Sequence, residues 1–323
     1  MNTIFVSEFA ERLIGFIDQK RALGYTYDNV ADPKMFDRMC AEQFPGESSL
    51  TADICSAWAV RRGKETAKAT AGWSAFIREF ARYLLRNGEQ AYVMPRGAIA
   101  KKSQRYIPHI YSHTELGDMW RAFDEVQPTS AYPTAHFILP TLIRLLYCSG
   151  MRPGEALNLR MDNVNLRDGK IFIAESKGNR DRIIMLADDV LELCRKYDEQ
   201  VQVYFPSRSY FFAKNAASPC DYRWVGYIFR KVRNKLHIES RSGNLPRLYD
   251  LRHTFATHRL YMWMRDGKDL NAMMPYLSAY MGHTKLTETF YYIHLVPGML
   301  EEMSGFCYGS VASLFPEVAE ADE

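Results

Sequence analysis

The sequence reads as mostly α with a small β-sheet, arranged as a helical N-terminal domain followed by an α+β domain. Three observations lead there. At 323 residues the chain is longer than one compact core usually holds. Apolar residues recur at helical spacing over most of its length. One stretch, Lys170–Glu175 followed by Arg182–Leu186, instead has two short apolar runs joined by a polar turn, the pattern of a β-hairpin. A content of 47% hydrophobic and 24% charged residues excludes disordered and collagen-like chains. The most apolar helix, around Phe137–Cys148, is interrupted by Pro140 and Arg144, so no membrane span is expected. Six cysteines are scattered without a C-x-x-C pair, which suits reduced thiols in the cytoplasm and argues against a zinc site.

Taken in order, residues 1–98 form the helical domain. Phe9, Leu13, Phe16 and Ile17 mark one buried helix face, and Trp73, Phe76, Ile77, Phe80, Leu84 and Leu85 mark another, which stops at Asn87-Gly88. Arg78, Arg82 and Arg86 recur every fourth residue on a different face of that second helix. Residues 99–112 read as a basic linker containing Lys101 and Lys102. Residues 113–298 form the second domain. Its first helix is capped by Ser112 or Thr114, the next ends at Ser149-Gly150, the hairpin follows, and helices fill the remainder. Residues 299–323 are a tail with Leu300, Met303, Cys307, Val311 and Leu314 at heptad-like steps, which by themselves suit a helix folded back on its own domain.

Charge is unevenly distributed. Between Arg61 and Arg105 there are eleven basic residues against three acidic ones, and between Arg208 and Arg247 nine against two. Two such blocks suit a protein that holds a polyanion from two sides. In the first block Arg61, Arg62, Lys64 and Lys68 flank the Arg78–Arg82–Arg86 row, so these side chains are candidates for phosphate contacts.

Four segments of the second domain carry chemistry. In Ser149-Gly-Met-Arg-Pro-Gly-Glu-Ala-Leu157, a glycine ends one helix and Pro153 begins the next, holding Arg152 in a tight turn. Lys177 lies at the hairpin tip. Leu248-Tyr-Asp-Leu-Arg-His-Thr254 puts Tyr249 and Arg252 three apart on one helix face. Finally, Gly282-His283 is followed by the pair Tyr291-Tyr292.

In this order and spacing the four segments resemble the catalytic domain of the tyrosine recombinases, the phage integrase family. The helical N-terminal domain is similar, more loosely, to that family's core-binding domain. The resemblance implies a site-specific DNA recombinase of integrase or transposase type, which cleaves and rejoins strands through a 3′-phosphotyrosyl intermediate without metal, ATP or other cofactor. Its catalytic set here would be Arg152, Lys177, Arg252, His283 and the nucleophile Tyr292, with Tyr249 where the family usually has histidine. A phenol, titrating near ~10, is a poor general base at neutral pH. The implied partners are double-stranded DNA carrying recombination sites, three further copies of the chain in a homo-tetramer on paired sites, and accessory DNA-bending proteins. For the tail 299–323 the resemblance implies a helix exchanged between subunits instead of one folded back. The implied location is the bacterial cytoplasm, on the nucleoid when bound. Two other readings share this fold: a DNA-binding protein that no longer cuts, and a type IB topoisomerase-like relaxer.

Overall fold

The structure is a computed structural model that describes residues 5–25, 27, 30–60, 67–96, 106–174, 181–239 and 244–295. It divides into two compact units, Met1–Arg105 and Tyr106–Glu323. The first unit contains α1 (Ala10–Ala22), α2 (Ala31–Gln43), α3 (Ala52–Ala59) and α4 (Ala67–Arg86). Its core is aromatic: Phe9, Phe16, Phe36, Phe76 and Phe80 meet mostly edge to face, with Phe16 and Phe80 ring centroids 5.6 Å apart. Leu85 departs from the expected buried face and is 46% exposed, because it lies about 100° around the helix from Leu84. The arginine row of α4 is also less uniform than its spacing implied. Arg82 is paired with Glu79 at 3.2 Å, Arg78 is half-buried, and Arg86 is exposed. Arg61, Arg62, Lys64, Lys68, Lys101, Lys102 and Lys177 fall outside the described side chains, as does the tail 299–323.

The second unit contains α5 (His113–Asp124), α6 (Ala135–Ser149), α7 (Pro153–Leu157), β1 (Val164–Asn165), β2 (Lys170–Ile173), β3 (Arg182–Met185), α8 (Asp188–Tyr204), α9 (Tyr222–Lys235), α10 (Asp250–Arg265), α11 (Leu270–Met281) and α12 (Thr287–Phe290). Ser112 caps α5 in a reciprocal box: its Oγ accepts from the Glu115 N–H at 3.2 Å, and Glu115 Oε2 accepts from the Ser112 N–H at 2.7 Å. Central to this unit is α6, which buries Ile138, Leu139, Leu142, Ile143, Leu145 and Leu146. Arg144 leaves that apolar surface to form a two-pronged bond to Asp124, both contacts 2.8 Å. No described helix is long and apolar enough to cross a membrane.

The antiparallel sheet runs β1-β2-β3. Its register pairs Ile171 with Ile184 and Ile173 with Arg182. Side chains alternate with a period of two, so Arg182 is forced onto the same buried face as these isoleucines. A buried guanidinium needs a counter-charge, and that requirement shapes the site below. The second basic block is likewise partly internal: Arg208 pairs with Asp198, and Arg233 donates to the Pro246 carbonyl at 2.9 Å, both arginines being buried. Residues 106–112, part of the expected linker, are held against α10 and belong to the second unit.

Candidate active site

Two helix C-termini and two helix N-termini converge at one place. Gly150 and Gly282 end α6 and α11 in the left-handed conformation, with φ of 60° and 64°. A side chain at Gly150 would be strained by that φ, and its Cβ would lie 2.4 Å from Phe255. Each turn exposes carbonyls at the negative end of a helix dipole, and arginines fill the gap between them. Arg252, 1% exposed on the first turns of α10, donates Nη1 to Gly150 O and Nη2 to Met281 O, both at 2.6 Å. Its Nε–H is buried and has no acceptor among the described residues. Arg152, preceding α7, donates Nη2 to Gly282 O at 3.2 Å and Nη1 to Glu155 Oε1 at 2.7 Å.

Glu155, an acid in the first turn of α7 that suits the positive end of the helix dipole, also serves the site. It accepts from Arg152 and also from Arg182 Nη2 at 2.6 Å, meeting the charge that the sheet register drove inward. Burial raises its pKa, but the Arg182 and Arg152 guanidiniums outweigh that and hold it at about 2. Burial works against the charge on Arg152, yet Glu155 and Tyr249 keep its pKa above the ordinary value. For Arg252 burial dominates and lowers the pKa, with Tyr249 and Tyr292 opposing.

The aromatic groups complete the cluster. Tyr292 is 3% exposed, its ring stacked 6.0 Å from that of His283 at an 18° interplanar angle. Burial pushes its phenol up to about 12, against the pull of the neighbouring Arg252. His283 Nδ1 lies 2.6 Å from Thr289 Oγ1. Tyr249 is half-buried at the start of α10 and lines an open groove with Arg152, Asn158, Arg160 and Phe172. Five of the six sequence-predicted catalytic residues, Arg152, Tyr249, Arg252, His283 and Tyr292, are thus brought together. Lys177 lies outside the described residues. A residue without a role from the sequence is His253, whose ring lies 5.5 Å from Tyr292 and 5.2 Å from Tyr249.

Three histidines of this unit are held neutral. Burial lowers His283 to about 3, with Arg252 and Arg152 adding to it; burial lowers His253 to about 4, opposed by Asp250; burial and His113 lower His258 to about 4. The unfolded chain would protonate them near pH ~6.5, so proton uptake favours unfolding. Their contribution is fully present above pH ~6.5 and is lost as the pH falls toward the native values. The thermal midpoint is therefore expected to drop by several degrees between pH 6.5 and 4, as read by circular dichroism melts. An unchanged midpoint over that range would show these imidazoles to be solvated.

Residues 118–298 match the Phage integrase family. The Sinorhizobium fredii (strain NBRC 101917 / NGR234) protein y4rE, provisionally named integrase/recombinase, is 28% identical over 298 residues, 90% of this chain and 93% of that one. Tyrosine recombinase XerC of Lactobacillus delbrueckii subsp. bulgaricus is 23% identical over 282 residues, 85% of this chain and 88% of its own. Among solved structures, the XerH site-specific recombinase with palindromic difH substrate in a post-cleavage complex shares the fold with a TM-score of 0.64 at 18% identity, covering 91% of this chain and 83% of that one. With the family match running over more than half of its length, the chain belongs to the phage integrase family and is a tyrosine-type site-specific recombinase, a DNA strand transferase.

Proposed function

We propose that Tyr292 is the nucleophile of a metal-free DNA cleavage and rejoining reaction. Its phenolic oxygen bonds to the phosphorus of a DNA strand as the P–O5′ bond breaks, leaving a 3′-phosphotyrosine and a free 5′-hydroxyl. Attack by another strand's 5′-hydroxyl reverses the step and conserves the bond energy. The observation that carries this reading is a buried phenol stacked on His283 beside Arg252, whose Nε–H has no acceptor among the described residues. Arg252 and Arg152 bind the non-bridging oxygens and offset the charge that grows on phosphorus. In this reading the Thr289 hydroxyl, 2.6 Å from His283 Nδ1, donates to it, so that the imidazole proton sits on Nε2 as a further donor to the phosphate. The phenol's own proton passes, in the same reading, to His253, a neutral imidazole whose ring centroid lies 5.5 Å from that of Tyr292, a role for which the phenol of Tyr249 is unsuited. Lys177 protonates the leaving 5′-oxygen.

The same reading assigns the first unit, with Arg61, Arg62, Lys64, Lys68, Arg78, Arg82, Arg86 and the linker residues Lys101 and Lys102, to the DNA backbone. It makes the working species a homo-tetramer on paired sites, linked through exchanged C-terminal tails and assisted by DNA-bending proteins, in the bacterial cytoplasm. Full-length protein incubated with nicked duplexes drawn from the DNA flanking its own gene is expected to form a covalent protein–DNA adduct. That adduct should form equally well in excess EDTA, because guanidiniums carry the electrostatic work. Adduct that appears only with added Mg²⁺ would refute the reading.

A further inference from the structure

The segment that enters the second unit makes contacts that the proposed chemistry does not use. Tyr106 donates its hydroxyl to Asp250 Oδ2 at 2.6 Å. Asp250 is fully buried at the first turn of α10, and it also accepts from the Arg247 backbone N–H at 3.0 Å and from Arg247 Nη2 at 3.2 Å. The Arg247 guanidinium sits over the Tyr106 ring, 3.3 Å from its centroid. One turn further along α10, the Tyr111 N–H donates to Thr254 Oγ1 at 3.1 Å. This strap is therefore fixed along the helix that carries Arg252 and His253. Its backbone then reaches across to the end of the described chain, where the Tyr106 carbonyl accepts the Tyr291 hydroxyl at 3.1 Å.

Tyr291 and Tyr292 are adjacent, and Tyr291 has helical φ and ψ of −53° and −33°. Side chains of consecutive helical residues diverge by about 100°. Holding one ring outward consequently sets the direction of the other. We propose that Tyr291 is a positioning residue whose hydroxyl, tied to the Tyr106 carbonyl, sets the rotation at which Tyr292 faces Arg252 and His283. The inference rests on Tyr292 being the nucleophile. A single residue, Tyr106, thereby ties the arginine-bearing helix, through its side chain, to the nucleophile-bearing segment, through its carbonyl. Without the tie, the segment can rotate about its short axis and the phenol spends less time in line with the phosphorus.

The test compares full-length wild-type protein, Tyr291→Phe and Tyr292→Phe on the same nicked duplexes, measuring affinity by gel shift and adduct formation in single turnover from the pre-bound complex. Tyr291→Phe keeps the ring and removes only the hydroxyl, so DNA affinity should be unchanged while the cleavage rate falls about fivefold, the scale of one neutral hydrogen bond. A wild-type rate in Tyr291→Phe, or a fall in affinity that accounts for the slower rate, would overturn the positioning role while leaving Tyr292 as nucleophile. Adduct lost in Tyr291→Phe but retained in Tyr292→Phe would instead overturn the nucleophile assignment itself. Mapping the DNA-linked peptide by mass spectrometry separates these outcomes.

Discussion

Tyr292→Phe should leave no covalent adduct on a nicked DNA duplex, while the variant folds and binds DNA as the wild type does. The substitution removes one oxygen from a ring that is 3% exposed and packed against His253 and His283, so the packing survives and the only loss is the atom that would bond to phosphorus. Without a nucleophile the reaction has no covalent path, so the loss should exceed about 10⁴-fold, a difference of more than ~5 kcal/mol in barrier height. The phenol is held near pKa 12 by burial, so it stays protonated at neutral pH until phosphate and base are both in place. Denaturing gels resolve the adduct from free protein directly. A band of wild-type intensity in Tyr292→Phe would move the nucleophile to another residue.

Arg252→Lys should be the most damaging conservative change in the site. A guanidinium reaches two carbonyls that belong to different helices, Gly150 O and Met281 O, each at 2.6 Å, and still directs its Nε–H to a third place. An ammonium is a compact point charge on a flexible stem and cannot reproduce that fork. The charge-assisted bond that the Nε–H of Arg252 would make to phosphate, worth about 1.5–3 kcal/mol, would be lost, so adduct formation should slow at least about 10-fold. Arg252→Ala should also lower stability, because two buried helix-terminal carbonyls lose their donor at about 1–3 kcal/mol each. Single-turnover rates and urea midpoints separate the two effects. A wild-type rate in Arg252→Lys would remove this residue from the phosphate and leave it a structural role only.

Local chemistry explains why so many elements could be read from the chain. The Ser112–Glu115 box, Pro153 at the start of α7, Gly150 and Gly282 in left-handed turns, and the period of two across β2 and β3 each depend on neighbours within about four residues. Arg152, Arg252, His283 and Tyr292 were singled out for a different reason, since the motifs that hold them resemble, in order and spacing, those of the tyrosine recombinases. Leu85 shows the limit: counting apolar residues does not say on which side of a stripe the last one falls.

What the chain alone determined was where helices start and stop, and the order in which the reactive side chains follow one another. Their partners were decided only on folding. Glu155 met its partner Arg182, 27 residues away, once strand register had turned that arginine inward. Arg252 found carbonyls 102 and 29 residues distant, His253 came to lie beside Tyr292, and Tyr106 joined α10 to Tyr291 across 185 residues. The physical reason is that a buried charge or polar atom must be satisfied by whatever the tertiary packing brings next to it, and desolvation keeps no record of sequence distance.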